Sequence, residues 1–291
     1  MESDLAKKLA ALRALIHKEP AVFIALSGGT DSTVLCFIAH SILDGRAQAV
    51  TARSEFLDPE EMDSIQRFVA LYGIRHSYLS LSLLENEAVR KNPQDRCFHC
   101  KSAIFQQMKK YASEHGFQEV PDTGRDTYHW KTKDGEENRD IPIFDGTNTD
   151  DLAEVRPGIR VLRELGIRSP FVEVGMGKAD IIQSARELGI GEFIRPSNSC
   201  LATRIGVNIP ITEKILSMVQ KAEEYLRGMG FTVVRVRYHD PGIARIEIRR
   251  SEIQRILEDE CARTVSRILK QIGFNRVSVD IDGYNPGSSQ G

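Results

Sequence analysis

AVFIALSGGTDS, residues 21–32, is the stretch that decides the fold of this chain. It joins a short apolar run to a Ser- and Gly-rich turn, and helix-forming sequence follows from Thr33 to Leu43. This order predicts a buried parallel strand, a tight turn and a helix. The two glycines let the backbone approach a ligand closely, and the first helical turn offers N–H groups to an anion. We therefore predict an anion-binding loop, which is not a Walker loop because no Gly-Lys-Ser/Thr follows the glycines.

Strand and helix patterns alternate on both sides of this loop. Residues 4–17 predict an opening helix. The later predicted strands are Ala47–Ala52, His76–Leu83, Ile141–Asp145 and, as the last one, Phe171–Val174. The later predicted helices are Pro59–Leu71, Lys101–His115, Asp151–Leu165 and Lys178–Leu188. We predict an α/β fold with a Rossmann-like parallel sheet, whose ligands lie beyond the carboxyl ends of the strands.

The pattern changes after Pro196. Thr212 precedes an amphipathic helix, and two alternating strands, a second helix and a final strand near Val277 follow. This order predicts a smaller C-terminal α/β domain for substrate binding and oligomerisation. We divide the chain into residues 1–205 and 206–291. Half of residues 121–140 are charged, which predicts an inserted hairpin or a disordered segment that serves as a lid or a subunit contact.

Composition narrows the class of protein. The 291 residues are 41% hydrophobic and 27% charged, with a formal net charge of −2, as in a soluble globular protein. The near-neutral charge does not favour a nucleic-acid partner. No apolar run is long enough to span a bilayer, and the N-terminus does not resemble a signal peptide. We expect a cytoplasmic protein with no membrane contact.

The cysteines fall into two groups. Cys36 and Cys261 lie on apolar helix faces and are predicted to pack in cores. Cys97, Cys100 and Cys200 lie in polar, turn-rich segments. Three thiolates suit a metal cluster that keeps one coordination position open. A redox pair of Cys97 and Cys100, or a structural zinc with an additional ligand, remains an alternative.

Two resemblances to known families rest on these motifs. Ser-Gly-Gly-x-Asp-Ser resembles the pyrophosphate loop of PP-loop ATPases, which cleave ATP between its α and β phosphates and activate a substrate as an adenylate. The chain also resembles the LarE family of sulfur transferases, which help make the nickel-pincer nucleotide cofactor of lactate racemase. The segments that carry this second resemblance are Ser27–Ser32, Asn92–Lys101, Asp145-Gly146 with Arg156-Pro157-Gly158, Ser199–Arg204, and Ala222–Arg227 leading into Val234–His239.

The resemblance implies a role for each matching residue. It implies catalysis by Cys200, Asp31 and Glu223, and a 4Fe-4S cluster held by Cys97, Cys100 and Cys200. The residues implied to bind ATP, Mg²⁺ or substrate phosphate are Ser27, Gly28, Gly29, Thr30, Asp31, Ser32, Gly146, Asp151, Lys101 and Arg204. Asp150 is an alternative to Asp151 as the metal ligand, and either carboxylate is also suited to cap the following helix.

The implied substrate is a pyridinium mononucleotide with two carboxylates and a phosphate. Because side chains alternate along a strand, Arg235 and Arg237 lie on one face. Their guanidinium groups suit such anions. The alternative is that this face of the sheet is simply solvated. Oxide is a poor leaving group, so adenylation followed by attack of a sulfide or other sulfur donor is a reasonable route to a thiocarboxylate. We expect a homo-oligomer.

Other functions explain part of the sequence. A tRNA-thiolating enzyme also pairs this loop with three cluster cysteines, but the near-neutral charge disfavours it. A non-catalytic ATP- or redox-sensing module predicts nucleotide binding without pyrophosphate release. An amidating ligase related to NAD synthetase leaves the three cysteines unexplained.

Overall fold

A computed structural model describes residues 3–115, 141–153, 157–194 and 200–285. The predicted insertion at 121–140 lies outside the described residues. The chain divides into two compact units. The first contains Met1–Arg53, Pro59–Leu81 and Cys97–Asn198, and the second contains Ser54–Asp58, Ser82–Arg96 and Ser199–Gly291. The C-terminal unit therefore includes two segments from early in the chain.

The first unit is built on a parallel sheet, as predicted. Its four strands are β1 (Val22–Ala25), β2 (Ala47–Arg53), β3 (His76–Ser80) and β4 (Ile143–Phe144), in the order β3-β2-β1-β4. Every pairing is parallel, and Phe23 lies opposite both Gln48 and Ile143. The chain passes from β1 to β2 and β3 on one side, and then returns to place β4 on the other side of β1. The point between β1 and β4 is therefore a switch point, which is where α/β sheets place their ligands.

Helices complete this unit. They are α1 (Asp4–His17), α2 (Thr30–Leu43), α3 (Pro59–Tyr72), α5 (Arg96–His115), α6 (Pro157–Leu165), α7 (Pro170–Glu173) and α8 (Lys178–Glu187), while α4 (Glu87–Arg90) belongs to the second unit. The apolar face of α2 packs in the main core, where Cys36 is fully buried. Burial raises the pKa of Cys36 to about 12, so the prediction that it packs as a small hydrophobic residue is confirmed.

Two predicted elements are wrong in detail. Phe171–Val174 is not a strand, because Pro170 begins the short helix α7, a position that proline favours. The chain joins the sheet at Arg168, which forms a single parallel bridge with Phe144. The predicted helix Asp151–Leu165 is divided, since Asp150–Ala153 is a 3-10 helix and α6 begins at Pro157.

The second unit confirms the predicted αββαβ order. Helix α9 (Glu213–Gly228) is capped by the Thr212 side chain, which accepts a hydrogen bond from the Ile215 N–H. Strands β5 (Val234–His239) and β6 (Ile243–Ile248) are antiparallel, and β7 (Arg276–Val279) pairs with β6 in parallel. The short α10 (Ile253–Ile256) and α11 (Asp259–Ile272) lie between β6 and β7. Cys261 packs against this unit's apolar core, also as predicted.

Among the described residues, no helix combines the length and the apolar character that crossing a membrane requires.

Candidate active site

The loop after β1 is organised by two serines. The Ser32 hydroxyl donates to the Gly29 carbonyl at 3.0 Å and accepts from the Ser27 N–H at 3.2 Å. Its oxygen also lies 3.0 Å from the Ser27 hydroxyl oxygen. Ser32 is buried in the first turn of α2, whereas Ser27 and Gly29 are exposed. The loop is therefore held from inside and presents its outer surface and the N-terminus of α2 to a ligand.

Two positions of this region require glycine, one because of its backbone conformation and the other because of a lack of space. Gly28 has φ +84°, in the left-handed region that glycine favours. Gly146 follows β4, and a Cβ placed there would lie 2.7 Å from the Ser32 backbone nitrogen. The chain after β4 thus passes directly against the first turn of α2 at the switch point of the sheet. This contact brings the predicted residue Gly146 to the loop.

Asp31 is the centre of a polar cluster. Its carboxylate accepts from the Lys178 ammonium at 2.6 Å and from the Asn148 side-chain amide at 3.3 Å. Burial raises the pKa of Asp31, the hydrogen bond from Lys178 lowers it, and the nearby negative charge of Asp151 raises it. A partly buried carboxylate with a second carboxylate close by is a typical environment for a divalent cation.

The two candidate metal ligands after β4 have different surroundings. The Asp151 carboxylate accepts from the Asn148 N–H at 3.1 Å, and its charge acts on Asp31. The Asp150 carboxylate accepts from the Lys178 N–H at 2.7 Å at the start of α8. Asp150 thus caps a helix, though α8 and not the one predicted, and the effect of the Asp151 charge on the pKa of Asp31 favours Asp151 as its partner.

Sequence reasoning missed Asn148 and Lys178. Asn148 is buried and directly precedes Thr149, Asp150 and Asp151, where the acidic side chains are the stronger sequence signal. Lys178 follows the Gly-Met-Gly stretch 175–177. The glycine content before a helix was a usable signal, but only the packing of α8 shows that Lys178 reaches Asp31.

The Cys-x-x-Cys motif lies on the first turn of α5. Cys97 is exposed and Cys100 is partly buried, and their spacing of three places them on one side of the helix. Lys101 follows directly, and its aliphatic chain covers Gly158 at the start of α6, where a Cβ would lie 2.7 Å from the lysine Cδ.

The segment after Cys200 is anchored by a buried ion pair. Cys200 is partly buried and precedes the 3-10 helix Leu201–Arg204. Nη1 of Arg204 donates to the Cys200 carbonyl at 3.1 Å, and its Nε donates to the Glu223 carboxylate at 2.9 Å. Both side chains of this pair are 1% exposed. Glu223 also accepts from the Val236 N–H at 3.0 Å and from Arg227 at 2.8 Å.

The predicted arginines lie on the polar face of the second sheet. Arg237 is buried, pairs with Glu247 at 2.5 Å and donates to the Thr203 carbonyl at 3.0 Å. The guanidinium of Arg235 lies over the Tyr284 ring, 5.2 Å from its centre. Burial lowers the pKa of Arg235, and the positive charge of Arg204 lowers it further. The predicted residues Arg204, Glu223, Arg235 and Arg237 therefore belong to one charged cluster.

A small pocket opens beside this cluster. Its walls are Thr203, Arg204, Ile205, Gly206, Val207, Arg237 and His239. In the described part of the chain, Nε2 of His239 is buried and has no hydrogen-bond partner. Burial lowers the pKa of His239, as do the positive charges of Arg245 and Arg237. A pocket with two guanidinium groups and an unpaired imidazole nitrogen is suited to an anionic group.

The structure describes all five cysteines, and each is a thiol. Across residues 3–115, 141–153, 157–194 and 200–285, no three His, Cys, Asp or Glu side chains form a group that could hold a metal ion. The metal assignments for Mg²⁺ and for the cluster therefore stay predictions.

Several known proteins are similar to this chain over most of its length. No family model matches it. It is 32% identical over 283 residues to the uncharacterized protein slr1717 of Synechocystis sp., covering 97% of each chain. It is 29% identical over 287 residues to the pyridinium-3,5-bisthiocarboxylic acid mononucleotide synthase of Lactiplantibacillus plantarum, covering 98% of this chain and 94% of the relative. It is 28% identical over 267 residues to the uncharacterized protein MJ0830 of Methanocaldococcus jannaschii, covering 92% of each.

Proposed function

We propose that this chain is a LarE-family ATP-dependent sulfur transferase that converts the two carboxylates of pyridinium-3,5-biscarboxylic acid mononucleotide into thiocarboxylates. The similarity to the synthase named above over nearly the full length of both chains supports this reaction class. The product belongs to the biosynthesis of a nickel-pincer nucleotide cofactor. ATP, Mg²⁺, sulfide and a 4Fe-4S cluster are the further components of the proposal.

The observation that carries the proposal is the polar cluster around Asp31, at the switch point of the sheet. The serine-lined loop and the first turn of α2 would hold the pyrophosphate end of ATP. Asp31 and Asp151 would hold Mg²⁺, because their carboxylates are close enough for the charge of one to raise the pKa of the other. Asn148 keeps Asp31 oriented through its amide.

ATP supplies an adenylyl group, which gives a carboxylate oxygen a good leaving group. In the first reaction that oxygen bonds to the α phosphorus and pyrophosphate leaves. In the second, sulfide bonds to the activated carbon, the bond from that carbon to the AMP oxygen breaks, and AMP leaves. The protein binds and orients both reactants and excludes water from the activated carbon.

The cysteines are proposed to provide the sulfur half of the reaction. Their chemistry fits a 4Fe-4S cluster, since three thiols leave one iron without a protein ligand. When bound, the cluster supplies an iron that can hold a sulfide. Cys97 and Cys100 lie on one side of the first turn of α5, and Arg204 holds the backbone of Cys200.

The charged cluster of the second unit is proposed to bind the substrate anions. Arg237 lines the pocket together with His239, and Arg235 lies in the same cluster. A phosphate or carboxylate oxygen in this pocket would accept hydrogen bonds from the guanidinium group. Lys101 and Arg204 are proposed to contribute positive charge for phosphate.

The experiment is anaerobic reconstitution with iron and sulfide, followed by turnover with ATP and the biscarboxylate mononucleotide. We expect broad absorbance near 400 nm, about four irons per chain, release of AMP and pyrophosphate, and a thiolated product detected by mass spectrometry. Cys200→Ala should lose iron and product, while Cys261→Ala, a matched substitution on a packed helix, should keep both. Pyrophosphate release without thiolated product would contradict the sulfur-transfer assignment.

A further inference from the structure

Asn92 is an unusual residue for its position. It lies between α4 and α5, is 0% exposed and has φ +55°. A fully buried amide costs free energy unless it is hydrogen-bonded, and a left-handed backbone at a residue other than glycine adds strain. Such a residue requires strong local contacts, and its contacts show what it holds.

The side-chain N–H groups and the backbone carbonyl of Asn92 contact one segment of the same unit. Its side-chain N–H groups donate to the carbonyls of Gly206 at 2.8 Å, Ile209 at 3.2 Å and Ile205 at 3.3 Å. Its own carbonyl accepts from the Asn208 N–H at 2.8 Å. One residue thus satisfies four backbone groups at positions 205–209, shortly after Cys200, where carbonyls lack regular secondary-structure partners.

Arg96 extends this arrangement toward Cys200. Its Nη1 donates to the Asn92 side-chain oxygen and, at 3.0 Å, to the Ala202 carbonyl. Arg96 is buried, so both bonds come from a charged donor shielded from water and are stronger than neutral ones. Arg96 directly precedes Cys97 in the chain, and Ala202 is two residues after Cys200.

We propose that Asn92 and Arg96, here called the Asn92 clamp, are positioning residues that fix the Cys200 segment, residues 200–209, to the chain leading into Cys97. In this role neither residue acts directly on nucleotide or sulfur. It sets the backbone on which Cys200 is carried, so that its thiol is held in one place relative to the residues around it. This role rests on the proposed sulfur transfer, although its structural part is measurable without it.

The variants separate donor chemistry from shape. Asn92→Asp keeps the size and the acceptor for Arg96 but removes the N–H donors to three carbonyls. Arg96→Ala removes the charged donor, and Arg96→Lys restores a cation and one or two donors. Arg46→Ala is the matched control, because Arg46 also donates to a single backbone carbonyl, that of Pro20 at 3.0 Å, in the first unit.

Two measurements on the purified full chain without metal test the structural part. In Asn92→Asp and Arg96→Ala, hydrogen exchange of residues 201–209 should become about tenfold faster, because a buried bond from a charged or amide donor is lost. Alkylation of Cys200, followed by peptide mass spectrometry, should change rate severalfold, while Cys36 stays protected. Arg96→Lys should recover part of both effects, and Arg46→Ala should match the wild type.

The result that would overturn the proposal is wild-type exchange in 201–209 together with wild-type alkylation of Cys200 in both loss variants. After reconstitution, the absorbance near 400 nm should also fall in these variants and return partly in Arg96→Lys. If wild-type protein holds no iron and forms no product while exchange and alkylation still change, the proposed function fails and the clamp stands. If the variants keep iron, product, exchange and alkylation at wild-type values, the clamp fails and the proposed function stands.

Discussion

Replacing Glu223 by glutamine removes the counter-charge of a fully buried arginine. Arg204 and Glu223 are each 1% exposed, so the remaining guanidinium has no water to replace its partner. Breaking a buried ion pair in this way costs about 3–5 kcal/mol. Arg227 also loses a partner, but it is 23% exposed and can be hydrated. With roughly 4 °C of melting temperature per kcal/mol for a unit of about 100 residues, a loss of 3 kcal/mol lowers Tm by about 12 °C.

The assay is thermal unfolding followed by circular dichroism, with hydrogen exchange of β5 to identify the transition of the second unit. The control is Arg263→Gln, which breaks an exposed ion pair with Asp259 at 3.4 Å in the same unit. Its Tm should stay within about 3 °C of wild type, because exposed pairs contribute little. If Glu223→Gln melts no lower than this control, burial does not make the pair indispensable and the reasoning is refuted.

Three further predictions concern the first unit. Gly146→Ala should destabilise this unit by about 1–3 kcal/mol through overpacking against α2, and it should weaken ATP binding measured by calorimetry. Gly191→Ala, where the nearest contact of the new Cβ is 4.0 Å away, should have neither effect. Equal effects of the two substitutions would contradict the close approach of Gly146 to α2. Asp31→Asn should abolish pyrophosphate release yet raise Tm at neutral pH, since the raised pKa of Asp31 means that its charged form costs stability. The Tm difference between variant and wild type should vanish as the pH falls through that pKa. A Tm difference that is independent of pH would argue against this explanation. Burial lowers the pKa of His76 from 6.5 to about 4, so stability should fall as the pH drops from 6.5 toward 4, and His76→Gln should flatten this slope in denaturant titrations.

The elements that local pattern determines were predictable. The strand, turn and helix from Val22 to Leu43 follow from a short apolar run, glycines and a helix former, each acting over a few residues. The parallel sheet followed from the alternation of strands and helices, and the αββαβ order of the second unit from its periodicity. Phe171–Val174 failed because its apolar residues fit a buried helix turn as well as a strand, and Pro170 decided for the helix.

Contacts between distant segments were not predictable from the sequence. The motifs identified Asp31, Arg204 and Glu223 as functional candidates. They did not show that Lys178 pairs with Asp31, 147 positions away in the chain, or that Glu223 pairs with the buried Arg204. Asn92 begins one of the segments that carry the family resemblance, but the sequence assigned it no role of its own. Its role depends on three carbonyls more than 100 positions away, which no local propensity encodes.

The sequence by itself determined the elements, the loop chemistry and the set of thiols and arginines, since these depend on neighbours in the chain. Only the tertiary structure decided which charges are buried together, because desolvation and hydrogen bonding depend on packing in three dimensions.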